Sequence, residues 1–278
     1  MSAGPSKQLR LTTKKLLKRY KGGERLTMLT AYDYSTARLI DEAGIEMILV
    51  GDSLGNVILG YETTLPVTLS DMIHHAKSVV RGTKNAFVIC DLPFGETRSI
   101  EHALNASIEV MQKTGCQAIK LEGEASIAPL VKRIVEQGIP VVGHIGLTPQ
   151  SVHQMGGYYK HGKSEARADE LVEGALALEK AGAFCIVLEC IVDEIAEKIT
   201  KSLSIPTIGI GSGQSCSGEV LVFHDLMGLS DSPPSFARPK ANLGELIRNT
   251  TRQYIDEVKG TEACQKNSSS WTSETLTQ

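Results

Sequence analysis

The chain has 278 residues, of which 41% are hydrophobic and 22% are charged, and its formal net charge is −3. These values exclude a disordered chain, which has too few apolar residues, and argue against a nucleic-acid partner, because nucleic-acid-binding domains are usually basic. No apolar run approaches the ~18 residues that a membrane span requires, so no membrane partner is expected. The length fits one α/β barrel or two average domains.

The first predicted element is a short helix that begins after Thr12 or Thr13 and stops at Gly22. The first 22 residues carry seven basic residues and no acidic residue, a composition that organelle transit sequences also show. We therefore expect a cytoplasmic protein, with mitochondrial placement as the alternative. Residues 1–7 are predicted to be a flexible N-terminus, and the Ser/Thr-rich residues 261–278 a flexible C-terminal tail.

Eight short apolar runs follow along the chain, as is typical of parallel strands covered by helices. The runs are 26–31, 45–50, 86–91, 117–121, 139–144, 183–188, 205–210 and 219–223. Helical periodicity and capping residues predict helices at 34–43, 70–81, 99–114, 125–137, 164–181, 192–202 and 242–258, with Ser70 as the N-cap of the second.

This alternation predicts an α/β protein with a single (β/α)8 TIM barrel over residues 8–260 and an N-terminal capping helix. A doubly wound sheet is the alternative architecture. Such a sheet usually has a glycine-rich first turn, and the first turn here is Tyr32-Asp33-Tyr34.

Ionisable residues stand at the carboxyl ends of five consecutive predicted strands, which is the end at which barrel enzymes carry their active sites. In chain order they are Asp52, Asp91, Lys120 with Glu122, His144 and Glu189. One such residue is usually a turn or capping residue, and a single histidine is more often a core residue than a catalyst. Five strand ends in succession are much harder to explain by capping.

The three carboxylates Asp52, Asp91 and Glu122 come from neighbouring strands, where they would raise one another's pKa. Mg²⁺ would relieve this repulsion, because it prefers carboxylates, waters and substrate oxygens. Lys120 alternates with Glu122 and therefore points to the same face, where it either holds a substrate oxygen or pairs with a carboxylate. Glu189 ends an apolar strand, and burial there would suit a general base.

Two loops at the same ends of the strands are candidates for ligand contacts. The glycine-rich residues 209–213 resemble a phosphate-binding loop, although a tight turn explains them equally well. The loop that contains Gly156 and Gly157 is long enough to act as a lid, and the two glycines would let it hinge.

The order of several sequence blocks resembles the ketopantoate hydroxymethyltransferase family, also called 3-methyl-2-oxobutanoate hydroxymethyltransferases, from about residue 8 to about residue 258. The blocks are MLTAYDY at 28–34, VGDSLGNVILGYETTLPVTL at 50–69, DLPFG at 91–95, KLEG at 120–123, GHIGLTPQS at 143–151, VLEC at 187–190 and IPTIGIGSG at 205–213. The combination of GDSLGN, DLPFG and KLEG is specific.

The resemblance implies a (β/α)8 enzyme of pantothenate and coenzyme A biosynthesis. It implies transfer of a one-carbon unit from 5,10-methylenetetrahydrofolate to 3-methyl-2-oxobutanoate, through a Mg-stabilised enolate, to give 2-dehydropantoate. A homo-oligomer, typically a decamer, is also implied. The implied site residues are Asp52, Asp91 and Glu122 for Mg²⁺, Asp52, Ser53, Asp91 and Lys120 for the oxo acid, and Glu189 as the base.

Three positions depart from the family pattern. Val192 stands where many members have proline, which leaves the start of the next helix less fixed. Ser217 stands where members usually have aspartate, in a region that the resemblance places on the folate side. Pro239 is unusual and bears on the packing of the last helix.

Two other functions are compatible with a barrel of this kind. One is a related enzyme of the isocitrate lyase and phosphoenolpyruvate mutase group, which usually carries a catalytic cysteine in a K-K-C-G-H loop that this sequence lacks. The other is an inactive barrel that serves as a scaffold, which would not require these acidic and basic residues together.

Overall fold

The computed structural model describes residues 10–260. The predicted flexible segments 1–7 and 261–278 therefore lie outside the described residues. The chain divides into two compact units at the boundary between Phe223 and His224. The first unit contains the barrel, and a single domain over 8–260 stays a prediction.

Eight parallel strands form a closed barrel in sequence order, and the first strand pairs with the last. They are β1 (Leu26–Thr30), β2 (Met47–Val50), β3 (Phe87–Asp91), β4 (Ala118–Glu122), β5 (Val141–Gly146), β6 (Cys185–Glu189), β7 (Thr207–Ile210) and β8 (Gly218–Leu221). All eight predicted strands are present, and the (β/α)8 barrel is confirmed. A doubly wound sheet is excluded, because such a sheet is open.

The predicted helices are also present, together with three helices of a single turn that sequence periodicity did not predict. The described helices are α1 (Thr13–Lys21), α2 (Tyr34–Glu42), α3 (Leu54–Val57), α4 (Leu69–Gly82), α5 (Ile100–Thr114), α6 (Ala128–Val135), α7 (Val152–Met155), α8 (Glu165–Lys180), α9 (Asp193–Ser202), α10 (Phe223–Leu226) and α11 (Leu243–Lys259). Among the residues described, no helix has the length and apolarity needed to cross a bilayer.

The N-cap of α4 is Thr68, so the prediction of Ser70 is wrong. The Thr68 side chain accepts a hydrogen bond from the backbone N–H of Asp71, and the Asp71 carboxylate accepts one from the Thr68 N–H. This reciprocal capping box satisfies two backbone donors at once, which a cap at Ser70 would not achieve here.

Helix α1 closes the amino end of the barrel, as the prediction of a capping helix requires. Its Leu16 is buried in the same cluster as the inward-facing side chains Leu26 and Met47. Arg19 of α1 pairs with Glu46, which directly precedes β2, at 2.6 Å. A second and larger apolar cluster lies between the strands and the surrounding helices, and the two clusters leave the opposite end of the barrel for polar groups.

Candidate active site

The polar residues predicted at the strand ends meet at one mouth of the barrel. Parallel pairing sets Asp91 beside Lys120 and Glu122 beside His144, and Asp52 stands two positions after the last residue of β2. The Asp52 N–H donates to Oδ2 of Asp91 at 3.1 Å, which ties the second strand end to the third.

Lys120 lies at the centre of this group. Its Nζ atom is 3.0 Å from Oδ2 of Asp91 and 4.0 Å from Oε1 of Glu122, and its side chain is 5% exposed. Burial disfavours the charged amine, but the charges of Asp91, Glu122 and Asp52 outweigh burial and raise the pKa of Lys120. The lysine is therefore a permanent cation inside the mouth.

Carboxyl groups outnumber the single lysine at this mouth. Burial raises the pKa of Asp91 to about 7, with a further contribution from the charge of Asp52. Burial also raises the pKa of Asp52 and of Glu122, and the charge of Asp52 adds to the effect on Glu122. Oδ1 of Asp91 is buried without a hydrogen-bond partner. These carboxylates fit a hard cation, because it would remove their repulsion and occupy the unused oxygen.

The carboxylates do not form a ready-made cage. Within residues 10–260, no three His, Cys, Asp or Glu side chains already stand as a group that could hold an ion. Magnesium needs no such cage, because it commonly binds through one or two carboxylates and completes its shell with water and substrate oxygens. The donor set is thus compatible with a cation whose remaining ligands are water and other small oxygen ligands.

His144 lies between Lys120 and Glu189. Its Nδ1 is 3.3 Å from Nζ of Lys120, and its Nε2 is 3.1 Å from Oε2 of Glu189, although the angles there fall short of a well-formed hydrogen bond. Burial and the charge of Lys120 lower the pKa of His144, so its ring is neutral at pH 7. Because Nδ1 faces an ammonium donor, the proton belongs on Nε2, towards Glu189. The sequence did not decide whether His144 is a core residue or a catalytic residue, and its contacts place it within the site.

Gln150 is a member of the site that sequence reasoning missed. Its Nε2 donates to Oδ2 of Asp52 at 2.8 Å and to the carbonyl of Leu92 at 2.9 Å, while its backbone N–H donates to Oε2 of Glu122 at 3.1 Å. It therefore holds two of the three carboxylates. The signal in the sequence was its position six residues after the strand-end residue His144. An uncharged amide, however, is not a usual candidate for a catalytic or metal-binding residue.

Ser53 lies beside Asp52, and its hydroxyl is 2.8 Å from the phenol oxygen of Tyr32. Tyr32 follows β1 and is fully buried, and burial raises its pKa. The tyrosine, which was also missed, gives the mouth a neutral hydroxyl and fixes the orientation of Ser53.

The backbone around Glu189 is held from the next loop. The Ser212 hydroxyl accepts from the Ile191 N–H at 3.0 Å and donates to the Leu188 carbonyl at 2.8 Å. Cys190, between these points, has a left-handed φ of 49°, which is uncommon for a residue with a side chain. The glycine-rich residues 209–213 thus form a tight turn that clamps the end of β6.

The departures at Val192 and Ser217 leave the mouth intact. Val192 has a φ of −60°, close to the value that a proline ring imposes, and α9 begins directly after it. Ser217 exchanges hydrogen bonds with Thr207, the first residue of β7, at 3.2 Å. It therefore lies at the amino ends of the strands, away from the carboxylates at the mouth, and the expectation that this region contacts the folate stays a prediction.

Comparison with known proteins identifies the family of this chain. A model of the family described as ketopantoate hydroxymethyltransferase matches residues 10–263. The chain belongs to this family. The resemblance found in the sequence is thereby confirmed, and ketopantoate hydroxymethyltransferases are enzymes, which excludes the inactive scaffold.

Relatives within the ketopantoate hydroxymethyltransferase family are close in sequence. A 3-methyl-2-oxobutanoate hydroxymethyltransferase of Syntrophus aciditrophicus (strain SB) is 52% identical over 256 residues, which cover 91% of this chain and 94% of that protein. The enzyme of the same name from Clostridium botulinum (strain 657 / Type Ba4) is 54% identical over 239 residues, covering 85% and 87% respectively. Such identity over nearly the whole length makes this chain a transferase.

Solved structures show the same barrel at much lower identity. Phosphonopyruvate hydrolase in complex with oxalate and Mg²⁺ has a TM-score of 0.64 at 12% identity and covers 91% of each chain. A 2,3-dimethylmalate lyase of the phosphoenolpyruvate mutase and isocitrate lyase superfamily has a TM-score of 0.60 at 16% identity, covering 95% of this chain and 93% of its own. These likenesses concern the fold alone.

Proposed function

We propose that the chain transfers a one-carbon unit from 5,10-methylenetetrahydrofolate to 3-methyl-2-oxobutanoate and forms 2-dehydropantoate, a step towards pantothenate and coenzyme A. The names of its relatives support the reaction and its oxo-acid substrate. The observation that carries the proposal for the site is the convergence of Asp52, Asp91 and Glu122 around Lys120 in one buried mouth.

Magnesium is the proposed metal, with Asp52, Asp91 and Glu122 as its protein ligands. Bound there, it would polarise the carbonyl group of the oxo acid as a Lewis acid. The unpartnered Oδ1 of Asp91 and the raised pKa values of all three carboxylates support this assignment. The metal would restore these side chains to their ionised form.

The oxo acid is proposed to bind through Lys120, Ser53, Asp52 and Asp91. Lys120 is the only one of these residues that brings positive charge, so it neutralises the oxygen on which charge develops when the oxo acid loses its C3 proton. Ser53 offers a hydroxyl that Tyr32 already orients at 2.8 Å.

Glu189 is proposed to remove the proton from C3 of the oxo acid. Its side chain is 16% exposed, more than those of the surrounding carboxylates, so it faces the space that a substrate would occupy. Nε2 of His144 lies 3.1 Å from Oε2 of Glu189, so the neutral ring directs its N–H towards the carboxylate. One of the two C–N bonds of the methylene group of the folate opens to give an iminium, and the enolate carbon attacks its methylene carbon. Hydrolysis of the adduct then breaks the second C–N bond: water supplies the new hydroxyl group and tetrahydrofolate leaves with the proton.

Proton exchange at C3 of 3-methyl-2-oxobutanoate in deuterated water tests the assignment of the base without the folate. We expect exchange with Mg²⁺, and a fall of about 10²-fold or more in Glu189→Gln, the scale of a lost general base. Glu194→Gln makes the same chemical change at an exposed position of α9 and is the matched control. Unchanged exchange in Glu189→Gln would remove Glu189 from the mechanism.

A direct assay of 2-dehydropantoate formation from methylenetetrahydrofolate tests the whole reaction. Removal of the metal with a chelator should abolish product formation, and added Mg²⁺ should restore it. Full activity after chelation would contradict the proposed metal.

We propose a homo-oligomer, with a decamer as the expected form, and a cytoplasmic location. The exposed apolar side chains of α11 support association between copies, since Leu246, Tyr254 and Val258 are 59%, 65% and 69% exposed. Sedimentation of the purified chain measures the number of copies.

A further inference from the structure

A cavity of about 720 Å³ adjoins the mouth on the side of β4, β5 and β6. Its walls come from the loops that follow β4 and β5 and from the first turns of α8. One lining residue is Gly123, which follows Glu122, and another is His161, whose N–H donates to the Cys190 carbonyl at 2.7 Å. The cavity therefore lies next to both the carboxylates and the base, and the mechanism described above does not use it.

One wall of the cavity is aromatic. The Tyr159 ring stacks on His161, with 4.6 Å between the ring centroids and 18° between the planes, yet Tyr159 remains 48% exposed. His161 is 5% exposed and has no hydrogen-bond partner at Nε2. Burial lowers the pKa of His161, so a neutral ring supports Tyr159 from behind. The open face of Tyr159 can stack with a flat ring of a ligand.

A second wall contains an arginine that already forms ion pairs with carboxylates. Arg167 pairs with Glu124 and, at 3.0 Å, with Glu170. A doubly charged phosphate at this wall would approach both carboxylates. The cavity thus disfavours a phosphate group and leaves room for a weaker anion elsewhere on its surface.

Lys163 supplies the free positive charge. It is exposed, and among the residues that the structure describes it has no recorded hydrogen bond or ion pair. It precedes Ser164, the N-cap of α8, whose first backbone N–H groups also favour negative charge. A carboxylate fits this position, while the neighbouring Lys160 is engaged by Asp193 at 3.0 Å.

We propose that this cavity binds the aryl-glutamate end of the one-carbon donor, with the aryl ring on Tyr159 and a glutamate carboxylate at Lys163. The inference rests on the proposed function, because it takes the folate as co-substrate. A flat ring joined to carboxylates matches an aromatic wall beside an unpaired cation. Binding in this cavity leaves the other end of the donor, which carries the one-carbon unit, next to the mouth.

Equilibrium binding of tetrahydrofolate to the full chain, measured by calorimetry without the oxo acid, tests this site. Lys163→Glu should raise the dissociation constant by about fivefold, the scale of a lost exposed ion pair with some repulsion added. Lys77→Glu makes the same charge change on α4, which contributes no lining residue, and should leave binding unchanged.

The aromatic wall is tested with the same measurement. Tyr159→Leu should raise the dissociation constant by about tenfold, because it removes the stacking surface, whereas Tyr159→Phe keeps the ring and should stay within about twofold of the wild type. Three glutamates on the donor in place of one should tighten binding to the wild type, and Lys163→Glu should remove most of that gain.

Failure of this site and failure of the proposed reaction give different results. If the wild type forms 2-dehydropantoate while Lys163→Glu and Tyr159→Leu bind tetrahydrofolate as the wild type does, the cavity assignment is overturned and the reaction stands. If the wild type neither binds tetrahydrofolate nor forms the product, both are overturned. Circular dichroism of each variant identifies any that fails to fold, and Lys163→Gln, which removes the charge without reversing it and should still weaken binding, then decides the matter.

Discussion

The Nε2 atom of His144 lies 3.1 Å from Oε2 of Glu189, while Nδ1 of the same ring lies 3.3 Å from Nζ of Lys120. One neutral imidazole therefore connects the proposed base with the cation proposed to stabilise the enolate. His144 is the one charged or titratable side chain that pairs with Glu189 among the described residues, whereas Lys120 is also held by Asp91 at 3.0 Å.

Replacement of His144 by phenylalanine should slow C3 proton exchange by about tenfold or more. The ring volume is kept, but the donor that positions Glu189 is lost, and general-base catalysis depends on that position. Exchange of the oxo-acid proton measures the effect, and the affinity for the oxo acid, measured separately, reports damage to the rest of the mouth. Exchange at the wild-type rate would show that His144 does not position the base.

Magnesium affinity should increase as the pH rises from about 6 to about 8. The pKa of metal-free Asp91 is raised to about 7, so below that pH a proton occupies the carboxylate and competes with the metal. Above that pH, the Asp91 carboxylate is already ionised, so Mg²⁺ binds without releasing a proton from it. Calorimetry in buffers of different ionisation enthalpy measures the protons released, and a pH-independent affinity would contradict the ligand assignment of Asp91.

Lys120→Met should destabilise the metal-free protein by about 3 kcal/mol, because it leaves buried carboxylates without their countercharge. The same change should tighten Mg²⁺ binding, since the competing cation is gone, and weaken binding of the oxo acid. Lys198→Met removes an exposed lysine that pairs with Asp169 and should cost less than about 1 kcal/mol. Thermal unfolding with and without Mg²⁺ separates the two effects, and equal losses in both variants would contradict the argument.

Asp41→Asn should destabilise the fold by about 2 kcal/mol without a role in the chemistry. Asp41 is 3% exposed and accepts backbone N–H bonds from Lys84 at 3.0 Å, Asn85 at 3.0 Å and Ala86 at 2.7 Å. An amide has one acceptor oxygen in place of two, so a buried donor loses its partner. The urea midpoint measures the loss, and an unchanged midpoint would show that the loop before β3 is held by other contacts.

The barrel was predictable because parallel strands buried on both faces read as continuous apolar runs. The strand-end rule then placed Asp52, Asp91 and Glu122 together, since all three follow such runs. The helices α3 and α7 were missed because four residues show no helical periodicity.

Neutral members of the site were harder to predict. Gln150 and Asp52 are 98 positions apart, so no local pattern connects them. The position of Ser217 was hard to predict for a different reason: residues 211–217 carry the chain from the carboxyl end of β7 to the amino end of β8 without a helix. A residue only four positions after the glycine-rich turn thereby lies at the opposite end of the barrel.

The closed amino end of the barrel bears on where substrates enter and in what order they bind. Leu16 and the inward-facing side chains that pack with it fill the amino end of the barrel, so we expect both proposed substrates and both products to use the opposite opening. Asp91, deep in that opening, is 2% exposed, and the proposed binding of a large donor beside the opening would obstruct the smaller oxo acid beneath it. We therefore expect compulsory-order kinetics in which the oxo acid binds first and 2-dehydropantoate leaves last. Added 2-dehydropantoate should then inhibit competitively against the oxo acid and not against the folate.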